Sequence, residues 1–216
     1  MHIHSNHSKD GKSSVKKILE VALRRRLDAL AITDHDTVSG SLEAIEVVRE
    51  EHLEIVVIPG IEVSTLDGHL LIYGVKKDID PSMSMSETIK EVKKHSELTL
   101  TAVAHPFQFY RHGCVKFWIA KQADAVEVFN AKYIVGICNL LSQALAKFYR
   151  KPGIAGSDAH VAEEVGRAVT VIDDSVLNSR RRGEEVTRIL NAILSGKVVE
   201  VRGSRQNFHN WPGRRR

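Results

Sequence analysis

Eleven histidines in a chain of 216 residues are the first chemical signal, and their neighbours make it specific. His2 and His4 alternate, so an extended segment would present both imidazoles on one face. Asp34 and Asp36 flank His35 in the run Thr33, Asp34, His35, Asp36, Thr37. Glu62 follows Pro59 and Gly60, His69 follows Gly68, and His105 precedes Pro106. Asp158 and His160 close the series in the run Gly156, Ser157, Asp158, Ala159, His160. Taken singly, each is ordinary: a histidine pair on a surface strand, an Asx-capped turn, a strand end. Their joint recurrence asks for a common purpose. Imidazole nitrogens and carboxylate oxygens without a thiolate suit Zn²⁺, Mn²⁺ or Fe²⁺. Candidates this numerous exceed the needs of one ion, so two or three divalent metal ions are expected. Such ions, held ~3.5–4 Å apart, polarise phosphoryl oxygens, generate hydroxide near neutral pH and stabilise a leaving oxygen. Phosphate ester hydrolysis is the chemistry that fits.

Elements must position these groups. Ser13 or Ser14 caps a helix in which Val15, Ile18, Leu19, Ala22 and Leu23 recur at helical spacing. Residues 29–33 read as a buried strand, 41–50 as an amphipathic helix, and 55–58 as a strand ended by Pro59 and Gly60. Residues 69–75 follow closely enough to run antiparallel. A helix over 86–95 and strands over 99–104 and 125–129 come next. The long helix 134–149, strands 153–155 and 168–172 and a helix over 184–194 complete the series. Repeated strand–helix units with buried strands imply an α/β fold, a parallel sheet flanked by helices. About seven units favour a barrel, and nearly every histidine or carboxylate cluster then lies at a strand's carboxyl end, where barrel active sites are built.

Composition narrows the class. Hydrophobic residues make up 43% and charged residues 27%, which argues against wholesale disorder. Cys114 and Cys138 form no CxxC pair, so neither a disulfide scaffold nor a thiolate zinc knuckle is expected. No apolar run reaches the ~18–20 residues of a membrane span; the best, 55–63, contains Pro59 and Glu62. The first residues lack a basic region followed by an apolar one, so a cytoplasmic location without membrane contact is expected. The net charge of +4 is uneven, because Arg202, Arg205, Arg214, Arg215 and Arg216 meet no acid after residue 201. Residues 1–200 are expected to form one domain, and 201–216 a basic, flexible tail.

As an ordered set spanning residues 2–160, these motifs resemble those of the PHP (polymerase and histidinol phosphatase) domain family. They are His2-x-His4, the run 33–37, Gly60-Ile61-Glu62, Gly68-His69, His105-Pro106 and the run Ser157, Asp158, Ala159, His160. The resemblance implies a distorted seven-stranded TIM-like (β/α)7 barrel with a trinuclear metal centre for phosphoester hydrolysis. By the same resemblance, His2, His4, Glu62 and Asp158 would hold one metal. Asp10, His35 and His160 would hold a second, and Glu62, His69 and His105 a third, so that Glu62 bridges. His35, Glu62, Asp158 and His160 would carry the catalysis. The chain departs from the family's pattern twice. Met1 directly precedes His2, where the family usually has an acid two positions before the first histidine. The loop His7, Ser8, Lys9, Asp10, Gly11 carries an extra lysine against the family's Ser-Asp-Gly, which leaves His7 as the alternative to Asp10.

The expected reaction is in-line attack on phosphorus by metal-bound hydroxide. Arg111, His112 and Lys132 are the candidate phosphate contacts, with His112 also a candidate proton donor to the leaving group. The substrate would be a phosphorylated small molecule, a nucleotide or a short oligonucleotide. Histidinol-phosphate phosphatase is the narrower alternative, a role filled in the family by longer chains. A reading of another class is a non-catalytic RNA-binding protein of the ribonuclease P subunit type. A purely structural RNA binder has no physical reason to keep a full ligand set. The basic tail could still attract RNA or DNA, with an affinity that falls as salt rises.

Overall fold

Ser14 starts the first helix: its hydroxyl accepts from the Lys17 N–H, and α1 (Val15–Arg24) buries Val15, Ile18, Leu19, Val21 and Ala22 along one side. The computed structural model describes residues 1–94, 98–114, 116–133, 136–176 and 183–203. The chain continues through β1 (Ala29–Ile32), α2 (Ser39–Glu50), β2 (Val56–Thr65), β3 (Gly68–Tyr73) and α3 (Met85–Lys93). Ser84 and Glu87 form a reciprocal capping box at the start of α3. Then come β4 (Leu100–Val103), β5 (Ala125–Asn130), α4 (Ile137–Phe148), β6 (Gly153–Gly156), β7 (Ala168–Ile172), α5 (Glu185–Leu194) and β8 (Val198–Gly203). Helix starts expected at 86 and 134 and the helix end expected at 95 shift accordingly; Ile134 and His95 themselves lie outside the described residues. So do residues 204–216 of the expected tail, whose first three residues complete β8.

Six strands form one curled sheet in the order β1-β2-β3-β4-β5-β6, and β7 pairs with β8 in a separate antiparallel ribbon. The sheet is mixed: it is parallel as expected except at β3, where the antiparallel course expected of residues 69–75 is found. β1–β2, β4–β5 and β5–β6 are parallel, while β3 runs antiparallel to both neighbours. Only Leu66 and Asp67 separate β2 from β3, and so short a link permits only a hairpin. A correction concerns Pro59 and Gly60. They do not end the strand, because β2 exchanges partners there. Its first part pairs with β1 as far as Pro59, and its second pairs with β3 from Gly60 onward.

The seventh stave is the least regular. The gap between β1 and β6 is crossed near the mouth by residues 2–4, with Ile3 bridged to Ala159, Thr33 N donating to Ile3 O, and His4 N donating to Ala159 O. This is a single bridge and not a strand. The described architecture is therefore an α/β fold with a curled six-stranded half-barrel and five helices, consistent with the TIM-like barrel expected. Ala31, Ile58, Leu71, Ala102, Ala125 and Ile154 line its concave face and pack against Ile189, Leu190 and Ile193 of α5. Among the described residues, no helix is long and apolar enough to cross a membrane.

Candidate metal centre

Glu62 lies opposite Leu71, and Glu127 opposite Ile154, so both carboxylates share the concave face with that inner core. Backbone bonds fix Glu62 from the side: its N–H donates to Asp34 O, and its carbonyl accepts from the Asp36 N–H. Asp34 itself turns away from the histidines and accepts from the Ser5 N–H and hydroxyl, tying the 2–5 segment down. Glu62 Oε2 meets Nε2 of His2 at 3.0 Å, of His4 at 3.1 Å and of His35 at 3.6 Å. Its Oε1 meets His69 Nδ1 and His105 Nε2, each at 3.1 Å. Five ring nitrogens thus crowd one carboxylate, which offers about four lone-pair directions.

The surrounding groups extend this cluster. Asp158 Oδ1 lies 3.6 Å from His4 Nε2 and 3.5 Å from His160 Nδ1. Asp10 Oδ2 lies 2.7 Å from His160 Nε2 and 3.6 Å from His35 Nε2. His7 pairs with exposed Glu43 instead, so Asp10 is the loop residue that reaches the cluster. Among the described residues four overlapping triads bring ligand atoms within 4.8 Å of one another: His2/Glu62/His105, His2/His4/Asp158, His4/His35/Glu62 and His4/Asp10/His160.

A cation fits this donor set better than hydrogen bonding does. His2 Nδ1 donates to Glu127 Oε1 at 2.9 Å, which leaves Nε2, 3.1 Å from His4 Nε2 and 3.0 Å from Glu62 Oε2, as the nitrogen that would offer an ion its lone pair once the proton there is displaced. His69 Nδ1 is buried and makes no aligned hydrogen bond despite its closeness to Glu62. Burial would raise the Glu62 pKa, but His2, His69 and His105 hold it well below the usual carboxylate range. Burial would likewise lower the His2 pKa, yet Glu62, Glu127 and Asp158 together raise it well above the imidazole norm. A divalent ion would displace that proton on binding. His4 is pushed by burial down to about 4, so it is a neutral donor at neutral pH.

Two groups that the sequence reading missed organise the centre. Glu127 is fully buried, holds His2 through Oε1, and accepts from the His105 N–H at 2.7 Å and Asn130 Nδ2 at 3.0 Å through Oε2. Positions 127 and 130 would face opposite sides of a regular strand. A register shift in β5 between Glu127 and Phe129 inserts one extra residue, and both side chains reach the site. Asn130 Nδ2 also donates to Asp158 Oδ2 at 2.9 Å. A carboxylate amid Ala125, Val126, Val128 and Phe129 was the available signal.

The three expected phosphate contacts are placed differently from one another. Arg111 clamps Asp158 with two hydrogen bonds of 2.6 and 3.1 Å, which together with His2 keep that buried carboxyl well below its ordinary pKa. Lys132 pairs with Glu164 at 3.2 Å. His112 stacks on His69 with ring centroids 5.6 Å apart. His105 and Asp158 adopt positive φ values of 24° and 50°, a strain that concentrates at functional sites.

Gly156 is a tight packing point within the centre. A Cβ there would fall 1.9 Å from Glu127 Oε1 and 2.5 Å from His2 Cβ. Gly156→Ala should therefore displace Glu127 and cost about 1–3 kcal/mol of stability by overpacking. A chemical-denaturation midpoint equal to that of the unmodified protein would show that the site yields freely.

Comparison with known proteins gives the site a context. Residues 136–198 match the family model described as PHP-associated. The chain is 30% identical to the uncharacterized protein MJ1587 of Methanocaldococcus jannaschii over 149 residues, 64% of this chain and 85% of that protein. Over 67 residues, 31% of this chain, it is 42% identical to the phosphoribosyl 1,2-cyclic phosphate 1,2-diphosphodiesterase of Eggerthella lenta, of which that stretch covers only 24%. In three dimensions it resembles a two-domain Bacteroides vulgatus protein containing a predicted PHP-like metal-dependent phosphoesterase. That likeness has a TM-score of 0.69 at 16% identity and covers 94% of this chain and 63% of the other.

Proposed function

The chain belongs to the PHP (polymerase and histidinol phosphatase) family, and from that premise we propose that its histidine-lined cup hydrolyses phosphate esters with divalent metal ions. The observation that carries this reading is Glu62, a buried carboxylate met by five imidazole nitrogens within 3.6 Å. His2, His4, Glu62 and Asp158 would hold one ion, Asp10, His35 and His160 a second, and Glu62, His69 and His105 a third. Ions of this kind supply Lewis acidity toward phosphoryl oxygens and activate water. Zn²⁺, Mn²⁺ and Fe²⁺ all suit the donor set.

The chain's own groups do the rest. Glu127 orients His2, and the Asp158 carbonyl accepts from His160 Nδ1 at 2.9 Å, leaving Nε2 toward Asp10. Arg111 and Lys132 are proposed to reach substrate phosphate from the rim, each shared with its carboxylate partner. His112, beside His69, is the proposed proton donor to the leaving oxygen. Nucleotides and short oligonucleotides are the substrates proposed, and contact of the arginine-rich C-terminal residues with RNA or DNA accompanies that proposal. The similarity to a diphosphodiesterase supports phosphoester chemistry in general. Neither histidinol-phosphate hydrolysis nor a purely structural RNA-binding role is favoured, the latter because the ligand cluster would then have no use.

Purified protein is expected to carry two or three divalent ions per chain by elemental analysis and to release phosphate only while they are present. Full-rate hydrolysis after exhaustive chelation would overturn the proposal.

A further inference from the structure

The metal cup opens to solvent through a cavity of about 640 Å³ that Asp10, His35, His69 and His112 line from the cup's side. One wall is the turn between β2 and β3, where Leu66 is 74% exposed; the other is the loop carrying Phe109, 60% exposed. The walls are pinned to each other at their base. His69 N donates to His112 O at 3.1 Å, and a Cβ at Gly68 would lie 2.7 Å from that same oxygen. Lys116 Nζ reaches across to Asp67 at 2.5 Å. The cleft is therefore preformed. A single exposed leucine needs no explanation. A leucine and a phenylalanine lining one cleft that drains into a cluster of ligands present apolar surface where an ester's leaving group would lie.

We propose that this cleft receives the leaving group, and that the group is a flat ring, a nucleobase or an aryl ring, resting against Phe109 and Leu66. The proposal rests on the hydrolytic reading of the cup and names the substrate feature that the cleft selects. Phe109 is then a specificity-determining residue. Stacking of a base on an aromatic side chain contributes about 1–3 kcal/mol, or roughly 10–100-fold in affinity.

The test compares adenosine 5′-phosphate, 4-nitrophenyl phosphate and glycerol phosphate as substrates of the metal-loaded protein and its Phe109→Ala and Phe109→Tyr variants. Alongside it, the fluorescence of etheno-adenosine 5′-phosphate is titrated with the same proteins. In Phe109→Ala the ratio of kcat/KM on either ring substrate to that on glycerol phosphate should fall about 10–100-fold, chiefly through KM, and Phe109→Tyr should restore it. The etheno-nucleotide should bind more weakly by a similar factor. A fall confined to 4-nitrophenyl phosphate would assign the cleft to aryl rings, and one confined to the nucleotide would assign it to nucleobases. Equal losses on all three substrates, or none, with unchanged nucleotide binding, would overturn the inference while leaving the hydrolytic reading intact. Binding weakened by Phe109→Ala in a protein that hydrolyses no ester would support the ring site and overturn the hydrolytic reading.

Discussion

Glu62→Gln is expected to strip the cup of most of its metal and to lower phosphate release by about 10³-fold, the scale lost when one preorganised transition-state contact is removed. The substitution changes one atom, yet it removes the charge on which five imidazoles converge. An amide binds divalent ions weakly and cannot bridge two of them with both atoms. It would also turn an N–H₂ toward ring nitrogens on whichever side its nitrogen settles. Occupancy should fall at two positions together. Asp10→Asn is the control, since it too removes one negative charge. Asp10 pairs with His160 and His35, stands near His4, is open to water and makes no ion pair with the histidines that meet Glu62 Oε1, so its loss should spare most of the metal around Glu62. Elemental analysis and phosphate release on both variants decide the matter, with circular dichroism to check the fold. If Asp10→Asn loses more metal than Glu62→Gln, the bridging assignment is wrong.

The position of Glu62 also shows where sequence reasoning stops. The histidines and acids were legible because ligand chemistry depends on residue type and chain order, both of which are printed in the sequence. Pro59 and Gly60, however, looked like a strand end, since proline lacks the ladder N–H. In the fold they mark the point where β2 leaves β1 and takes up β3, an outcome decided by pairing with residues outside the strand. β8 was hidden for another reason. Its alternation of Val199 and Val201 with Glu200 and Arg202 is weak, and its arginine resembled the start of a charged tail. Arg111 looked like a free phosphate contact because its partner Asp158 lies 47 positions away. The bulge in β5 depends on register with β6, which no local pattern encodes. Non-local pairing is the common cause.

The same limit hid Glu127, and the second large effect is expected there. Glu127→Gln should weaken metal binding by about 10–100-fold although residue 127 touches no proposed ion, the usual loss when the partner of a ligating histidine is removed. Three donors converge on its two oxygens: His2 Nδ1, the His105 N–H and Asn130 Nδ2. A glutamine must place its N–H₂ against at least one of them, and a buried donor left facing a donor costs about 1–3 kcal/mol. If the amide nitrogen faces His2, the ring must present its protonated nitrogen elsewhere, and Nε2 no longer offers an ion its lone pair beside Glu62 and His4. If it faces His105, the strained backbone of that residue loses its anchor. Either way a proposed ligand is misdirected without loss of any ligand. Chelator competition, monitored by free metal, measures the affinity directly, and denaturant unfolding of the metal-free variant separates it from stability. Unchanged metal affinity in a folded Glu127→Gln protein would show that His2 is oriented by packing alone.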